Sequence, residues 1–302
     1  MSNAKPRTGV LLLAHGSPDS VDEVPEFLRN ITRGRPVPPE VIEEVKHRYG
    51  AIGRSPLTSW TLVQRDQLQA RTGLHSYVGM RNWKPFIADT LNVMKADAIE
   101  RAIVICMAPQ NSRTSVGLYR VALGRENCQP FAIDFIESWH DHPLLISAFA
   151  EKLQHGRKAA CNELGSKVPV IFTAHSVPLG TITDGDPYEK QTKETAALLA
   201  QEAGLDESDW LFAFQSQGMS DGEWLGPTVE DTIKRLKARG NSAVFIQPIG
   251  FVCDHVEVLY DIDIGFKQFA AEQGLRLWRA ESLNDSPLLT AALADLVQSR
   301  LQ

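Results

Sequence analysis

Four ionisable side chains stand where parallel sheets commonly place functional groups. His175 ends an apolar run, and Asp254, His255 and Glu257 follow a second apolar run after a turn at Gly250. Near pH 7 an imidazole can accept a proton or bind a metal ion, and a carboxylate can do the same. The pattern predicts proton transfer or metal handling by His175 and Glu257. A hydrogen-bonded structural histidine is the alternative for His175.

A helix is predicted to begin near Val256, directly beside this acidic segment. Residues four apart share a helix face, so that helix would align Glu257 with Asp261. Aligned carboxylates can pass a hydrated cation or accept protons. The alternative is a solvated acidic helix start, which the helix dipole favours. For Asp254 the sequence predicts a capping role at the same helix.

The segment from Gln215 to Asp231 is typical of a loop that lines a ligand. It combines a strand end, a glycine-rich turn and Trp224-Leu-Gly-Pro227 ahead of a helix. Its glycines do not follow the order of a dinucleotide or phosphate-binding fingerprint. The sequence therefore gives little support to a nucleotide cofactor, and packing under the loop is the alternative role for Trp224.

Short aliphatic runs alternate with stretches of helical periodicity, and these elements must position the side chains named above. The predicted strands are 10–13, 76–79, 102–106, 131–136, 168–174, 210–214, 243–248 and 275–278. The predicted helices are 41–49, 62–70, 85–94, 144–153, 188–202, 229–236 and 287–301. This alternation predicts an α/β fold in which helices flank parallel sheets.

Two of the predicted strands end alike. Leu11-Leu-Leu-Ala-His15-Gly-Ser-Pro18 and Ile171-Phe-Thr-Ala-His175-Ser-Val-Pro178 share an apolar strand, the pair Ala-His, a small residue and a nearby proline. Chance and internal duplication both explain so short an echo. Duplication predicts two lobes that meet near residues 140–144 and aim both histidines into a shared cleft.

The composition narrows the possible functions. The 302 residues are 43% hydrophobic, which is enough for two domains with buried cores. A net charge of −6 without a basic stripe argues against a nucleic-acid partner. The sequence contains neither the roughly 20-residue apolar stretch of a membrane span nor a signal-peptide core. A cytoplasmic protein without a membrane span is predicted.

The four cysteines are scattered along the chain and form no C-x-x-C pair; they are Cys106, Cys128, Cys161 and Cys253. Without paired spacing or a secretory context, free thiols are predicted. A zinc or iron–sulfur site that gathers all four is the less favoured alternative.

Several motifs, taken in order along the chain, resemble those of the ferrochelatase family. They are Gly9-Val-Leu-Leu-Leu, Tyr49-Gly-Ala-Ile-Gly-Arg-Ser55-Pro-Leu, Ala108-Pro-Gln-Asn-Ser112, Ala174-His175-Ser-Val-Pro, Trp224-Leu-Gly-Pro and Gly250-Phe-Val-Cys-Asp-His-Val-Glu257-Val-Leu-Tyr-Asp. The resemblance spans essentially the whole chain. It is greatest to the short, soluble branch that metallates coproporphyrin III, notably at Arg33-Gly-Arg35 and at 108–116.

The resemblance implies a lyase of heme biosynthesis that inserts Fe²⁺ into a porphyrin. The implied fold is two similar Rossmann-like lobes, 1–140 and 141–302, around a central porphyrin cleft. His175 and Glu257 would be the catalytic and metal-contacting pair. The implied substrate-binding residues are His15, Arg48, Tyr49, Ser55 and Tyr119. The porphyrin and Fe²⁺ are the expected ligands of a monomer with no tightly bound cofactor and no iron–sulfur cluster.

Some positions depart from the family pattern. His15 stands where the soluble branch usually has a tyrosine that ligates product iron, and histidine can also ligate iron. Thr32 replaces a frequent arginine, and the loop 53–55 is one residue shorter than usual. Asp261 matches an outer cation site whose next acidic residue is replaced by Gly265, so a strong second metal site is not predicted.

Alternative functions follow from the same residues. A ferrochelatase that uses protoporphyrin IX differs from the coproporphyrin III enzyme in the number of substrate carboxylates. Ala14-His15-Gly16-Ser17 also resembles the start of cobalt chelatases of the corrin pathway. A third possibility is a two-lobed carrier that binds heme or porphyrin without catalysis.

Overall fold

The structure is a computed structural model that describes residues 6–125, 131–218 and 222–302. In the first half of the chain the elements are β1 (Thr8–Ala14), α1 (Val24–Ile31), α2 (Pro39–Ala51), α3 (Leu57–Thr72), β2 (Ser76–Met80), α4 (Ile87–Ala96), β3 (Arg101–Cys106), α5 (Val116–Arg125) and β4 (Ala132–Ile136). A 3-10 turn at Val21–Glu23 precedes α1.

The second half repeats this alternation of strands and helices. Its elements are α6 (Pro143–Leu164), β5 (Val170–His175), α7 (Leu179–Thr183), α8 (Tyr188–Glu202), β6 (Trp210–Gln215), α9 (Val229–Ala238), β7 (Ala243–Pro248), α10 (Val256–Leu259), a π-helix (Asp261–Phe266), α11 (Lys267–Glu272), β8 (Arg276–Arg279) and α12 (Pro287–Ser299). A second 3-10 turn, Glu207–Asp209, precedes β6.

The two sheets have the same topology. All pairings are parallel, with strand orders β2-β1-β3-β4 and β6-β5-β7-β8. Ala14 pairs with Met80 in the first sheet, and Ala174 pairs with Phe214 in the second. His15 and His175 therefore follow equivalent strand ends. The prediction of two Rossmann-like lobes with parallel sheets is confirmed, and the shared topology favours duplication over chance.

The chain divides into two compact units that are not simple halves. The first unit contains 1–108, 115–139 and 284–302, and the second contains 109–114 and 140–283. The change at 139/140 lies beside the predicted boundary between 1–140 and 141–302. The C-terminal segment differs from that division, because it belongs to the first unit.

Contacts of α12 and of the turn before it explain this assignment. Thr290 on α12 donates a hydrogen bond from Oγ1 to Oε1 of Gln67 on α3 at 2.8 Å. Gln64 of α3 donates from Nε2 to the carbonyl oxygen of Asn284 at 2.8 Å. The buried side chains of α12 include Leu289 and Leu293. The last helix thus completes the core of the first unit.

The central strand of each sheet is buried on both faces. Leu11 and Leu12 in β1 and Ile171 and Phe172 in β5 are all 0% exposed. Helices cover both faces of a parallel sheet, so its inner strands are mainly apolar on both sides. This explains why the sequence shows these strands as continuous apolar runs.

All the predicted strands and helices are present; β7 has the predicted bounds, and most other ends differ by a few residues. The largest difference is in α6, which continues to Leu164 beyond its predicted end at 153. The sequence analysis did not predict α1, α5, α7 and α11. No helix among the described residues is long and apolar enough to cross a membrane.

Three of the cysteines lie in described parts of the chain, and all three are free thiols as predicted: Cys106, Cys161 and Cys253. Burial raises the pKa of the Cys106 and Cys253 thiols, which keeps both protonated and unreactive. Cys128 lies outside the described residues.

We predict opposite effects on stability for two glycine-to-alanine substitutions in helices. In α6, a Cβ at Gly156 would lie 2.8 Å from the ring of buried Phe245, so Gly156→Ala requires repacking. Overpacking of this kind costs about 1–3 kcal/mol. In α5, a Cβ at Gly124 meets nothing within 4 Å, so Gly124→Ala should be neutral or stabilising.

Urea unfolding followed by circular dichroism checks this prediction. Gly156→Ala should lower the midpoint of unfolding, and Gly124→Ala should leave it unchanged or raise it. Equal midpoints for the two variants would contradict the close packing of α6 on β7.

Candidate active site

His175 is the last residue of β5, and its imidazole is oriented by its own backbone neighbour. Its Nδ1 hydrogen-bonds to the carbonyl oxygen of Ser176. A carbonyl only accepts, so Nδ1 carries the proton of the neutral ring and Nε2 keeps its lone pair. The side chain is 33% exposed. His175 therefore presents a nitrogen that can accept a proton or bind a metal ion.

Glu257 lies beside that nitrogen. Its Oε1 is 3.7 Å from Nε2 of His175, and its Oε2 is 3.7 Å from Nε2 of His255. In His255 the Nδ1 bonds to the carbonyl oxygen of Cys253 at 3.0 Å, so its Nε2 also keeps the lone pair in the neutral ring. The structure thus brings together the two residues predicted to carry the chemistry and adds a second histidine.

Two buried side chains donate hydrogen bonds to the backbone of His175 and Glu257. Gln215, the last residue of β6, pairs in register with His175 and donates from Nε2 to the carbonyl oxygen of Glu257 at 2.9 Å. Tyr188 donates from its hydroxyl to the carbonyl oxygen of His175 at 2.9 Å. Burial, and then the charge of Glu257, raise the pKa of Tyr188, so this phenol stays protonated and remains a donor.

The helix that carries Glu257 is shorter than predicted. It ends at Leu259, and a π-helix begins at Asp261. A regular α-helix therefore does not align Glu257 with Asp261. Asp261 instead accepts a hydrogen bond from the hydroxyl of Ser216, which follows β6.

The predicted capping role of Asp254 is wrong. The N-cap of α10 is His255, whose side chain makes no capping hydrogen bond. Asp254 accepts a hydrogen bond from Oγ of Ser282 at 2.7 Å and lies 3.5 Å from Nη1 of Arg279. The carboxylate therefore binds the segment that follows β8, and the N-cap position predicted for it is occupied by His255.

His15 has the same local geometry as His175 but a different partner at Nε2. Its Nδ1 bonds to the carbonyl oxygen of Gly16 at 3.1 Å, and its Nε2 lies 2.9 Å from Nδ2 of Asn82. With Nδ1 protonated, Nε2 accepts from the Asn82 amide. Asn82 is buried and follows β2, and the sequence analysis gave it no role.

The other predicted substrate-binding residues also lie in the first unit. Buried Tyr49 is within 3.5 Å of Oγ of Ser17, and Ser55 is buried at the start of the turn before α3. Arg48 is partly exposed and pairs with Glu44 at 2.9 Å. These residues combine aromatic, hydroxyl and cationic groups, which suits a flat apolar ligand with carboxylates.

Tyr119 lies in α5 beneath a cation. The guanidinium carbon of Arg81 is 5.2 Å from the centre of its ring. Burial raises the pKa of Tyr119, which keeps the phenol neutral, and Arg81 opposes the shift. Arg81 follows β2 and was not predicted from sequence.

No group of three or more His, Cys, Asp and Glu side chains within the described ranges is placed to hold a metal ion. His175 and Glu257 together offer one nitrogen and one oxygen ligand.

Comparison with known proteins decides the family. The family model described as ferrochelatase matches residues 7–301. The chain belongs to the ferrochelatase family. It is therefore an enzyme, a metal chelatase of the lyase class, as the motifs predicted. The family match also favours ferrochelatase over the cobalt chelatase and the carrier without catalysis.

Relatives at high identity carry the same name. A ferrochelatase of Acidobacterium capsulatum is 55% identical over 98% of this chain and 95% of its own length. A coproporphyrin III ferrochelatase of Geobacillus sp. is 36% identical over 99% of both chains. The predicted resemblance to both groups is confirmed.

Solved chelatase structures share the fold at low sequence identity. SirB from Bacillus subtilis with Fe³⁺ has a TM-score of 0.60 and 10% identity, covering 97% of this chain and 95% of that one. CbiX, described as the terminal enzyme for siroheme biosynthesis in denitrifying bacteria, has a TM-score of 0.56 and 12% identity, covering 97% and 100%. Identities this low support the fold alone.

We predict that Tyr188→Phe destabilises the protein. The substitution keeps the buried ring but removes the hydroxyl that binds the His175 carbonyl. Loss of one such hydrogen bond should lower the free energy of unfolding by about 1 kcal/mol. The urea midpoint of the variant measures the change, and an unchanged midpoint would mean that the hydrogen bond contributes nothing to stability.

Proposed function

We propose that this chain inserts Fe²⁺ into coproporphyrin III in heme biosynthesis, with His175 and Glu257 as the metallation pair. The observation that carries the proposal is that Nε2 of His175 and Oε1 of Glu257 lie 3.7 Å apart, at the carboxyl-terminal edge of the sheet in the second unit. We also propose a cytoplasmic monomer with no tightly bound cofactor and no iron–sulfur cluster.

The reaction needs acceptors for two protons. The free porphyrin and Fe²⁺ become an iron porphyrin and two protons, because both pyrrole N–H bonds break as the iron–nitrogen bonds form. Neutral His175 can take one proton at Nε2, and Glu257 can take the other or guide the metal ion. The second oxygen of Glu257 faces His255 at 3.7 Å, which provides a further acceptor.

The proposed substrate groups of the first unit fit a carboxylate-rich porphyrin. Arg48 can pair with a propionate, and the hydroxyls of Tyr49, Ser55 and Tyr119 can donate hydrogen bonds to one. Coproporphyrin III has four propionates and protoporphyrin IX has two. The coproporphyrin III ferrochelatases among the relatives support the four-carboxylate substrate.

His15 is proposed as a ligand of the product iron, and its geometry sets a condition. Its Nε2 accepts from the Asn82 amide at 2.9 Å, so that hydrogen bond must open before the same lone pair can reach iron. The bond costs about 1 kcal/mol to lose, which is small beside a metal–imidazole interaction.

Anaerobic Fe²⁺ insertion by the purified protein, followed by absorbance, tests the function. With coproporphyrin III and protoporphyrin IX in parallel, we expect kcat/KM to favour coproporphyrin III by about tenfold or more, because two further propionates each gain a charge-assisted hydrogen bond. A preference for protoporphyrin IX would reject the substrate assignment. Absence of insertion into both would reject the function.

We predict that His175→Ala lowers kcat without changing porphyrin affinity. Loss of a positioned proton acceptor costs about 10²- to 10⁴-fold in rate. Porphyrin affinity is measured by fluorescence quenching. His155→Ala, at an exposed position on α6, is the control and should keep the normal rate. A normal rate in His175→Ala would reject the proposed role of His175.

A further inference from the structure

Arg279, the last residue of β8, makes a two-pronged contact with the π-helix. Its Nε donates to Oδ1 of Asp263 at 2.8 Å, and its Nη2 donates to Oδ2 of the same carboxylate at 2.9 Å. Two parallel hydrogen bonds between a guanidinium and a carboxylate fix both distance and orientation. The contact therefore holds the π-helix in a defined position against β8.

The remaining nitrogen of Arg279 faces the turn before α10. Its Nη1 donates to the carbonyl oxygen of Ala280 at 2.8 Å and lies 3.5 Å from Oδ1 of Asp254. The same Oδ1 accepts a hydrogen bond from Oγ of Ser282 at 2.7 Å. Arg279, Asp254, Asp263 and Ser282 form one connected set, which we call the Arg279 network.

The two carboxylates of the Arg279 network flank Glu257 in the chain. Asp254 is three residues before Glu257, and Asp263 is six residues after it. The Arg279 guanidinium thus contacts the chain both before and after Glu257. The Arg279 side chain is only 13% exposed, so its contacts are stronger than those of a surface ion pair.

The Arg279 guanidinium stays protonated at this site. Burial alone would lower the pKa of its guanidinium, but the hydrogen bonds and charge of Asp263, with the charges of Asp254 and Glu281, raise the pKa overall. Removal of the cation would leave the partly buried carboxylates of Asp254 and Asp263 without this positive charge, which would cost stability.

The segment around Glu257 has little regular structure of its own to hold it. The helix α10 has four residues and an N-cap without a side-chain hydrogen bond, and the helix that follows has π geometry. The Arg279 network supplies contacts from outside these two short helices, through Asp254 before Glu257 and Asp263 after it.

We propose that Arg279 is a positioning residue for metal insertion, which holds Glu257 in register with His175 through Asp254 and Asp263. The inference rests on the proposed function, since it assigns Arg279 an effect on the metallation pair. Arg279 does not itself contact substrate in this proposal.

Arg279→Lys tests the positioning role while it keeps the positive charge. A lysine keeps the cation but cannot make the parallel pair of hydrogen bonds to Asp263. We expect kcat for Fe²⁺ insertion to fall by about tenfold to a hundredfold, the usual effect of a displacement near 1 Å at a reacting group. Porphyrin affinity, measured by fluorescence quenching, should stay within about twofold, because no substrate contact is lost.

Arg276→Lys is the matched control on the same strand. Arg276 also pairs with a carboxylate, Glu163, but the pair is exposed, at 56% and 53%. Exposed pairs contribute little, so kcat and stability should stay normal. Circular dichroism and thermal unfolding of both variants establish the folded fraction, and all rates are given per folded protein.

A double-mutant cycle with Glu257→Gln separates positioning from general damage. If Arg279 acts through Glu257, Arg279→Lys should cost less than about twofold in a Glu257→Gln background. A purely structural role would give the same fold-loss in both backgrounds. If Glu257→Gln has no measurable rate, the two single variants are compared instead. A positioning role then requires that Arg279→Lys has a lower kcat than Arg276→Lys while the two bind porphyrin equally well.

The proposal is overturned if Arg279→Lys has the kcat of Arg276→Lys, or if its loss is additive with that of Glu257→Gln. Failure of the proposed function has a different signature, since the wild-type protein would then insert iron into neither porphyrin. Insertion by the wild type with normal turnover by Arg279→Lys rejects the positioning role alone.

Discussion

The parallel pairing of strands in two buried sheets is the constraint on which the rest of the structure depends. Helices cover both faces of each sheet, so the inner strands are mostly apolar and a charged group within them would be costly. The carboxyl ends of the strands are the places where a polar side chain can leave the sheet and still be held by it. His175 and Gln215 occupy two such ends side by side, and His15 follows a third.

This constraint explains why much of the fold and part of the site could be predicted. Continuous apolar runs mark strands buried on both faces, and a histidine at the end of such a run has to lie at the sheet edge. Prolines at the first turn of α2, α6 and α12 mark helix starts for a local reason, since the missing N–H is not needed there. These features depend on residues close together in sequence.

The features that sequence reasoning missed depend on distant partners. Asp254 has the type and position of a helix cap, but Ser282 and Arg279 bind it from beyond β8. Asn82 carries no local sign that its amide binds His15. The change from α10 to a π-helix, which removes the expected alignment of Glu257 and Asp261, also involves the Asp263 contact with Arg279. Sequence also gives no local sign that the C-terminal helix groups with the first compact unit, because its partners lie in α3.

His15 and His175 are held by similar backbone contacts but have different side-chain partners at Nε2. Each imidazole bonds through Nδ1 to the carbonyl of the next residue, so the two histidines share one local geometry. By strand register, Asn82 in the first copy corresponds to Ser216 in the second. The Asn82 amide hydrogen-bonds to Nε2 of His15. Ser216 instead donates its hydrogen bond to Asp261, and Nε2 of His175 faces Glu257. A difference at one matched position thus accompanies different surroundings for two histidines that share the same strand-end geometry.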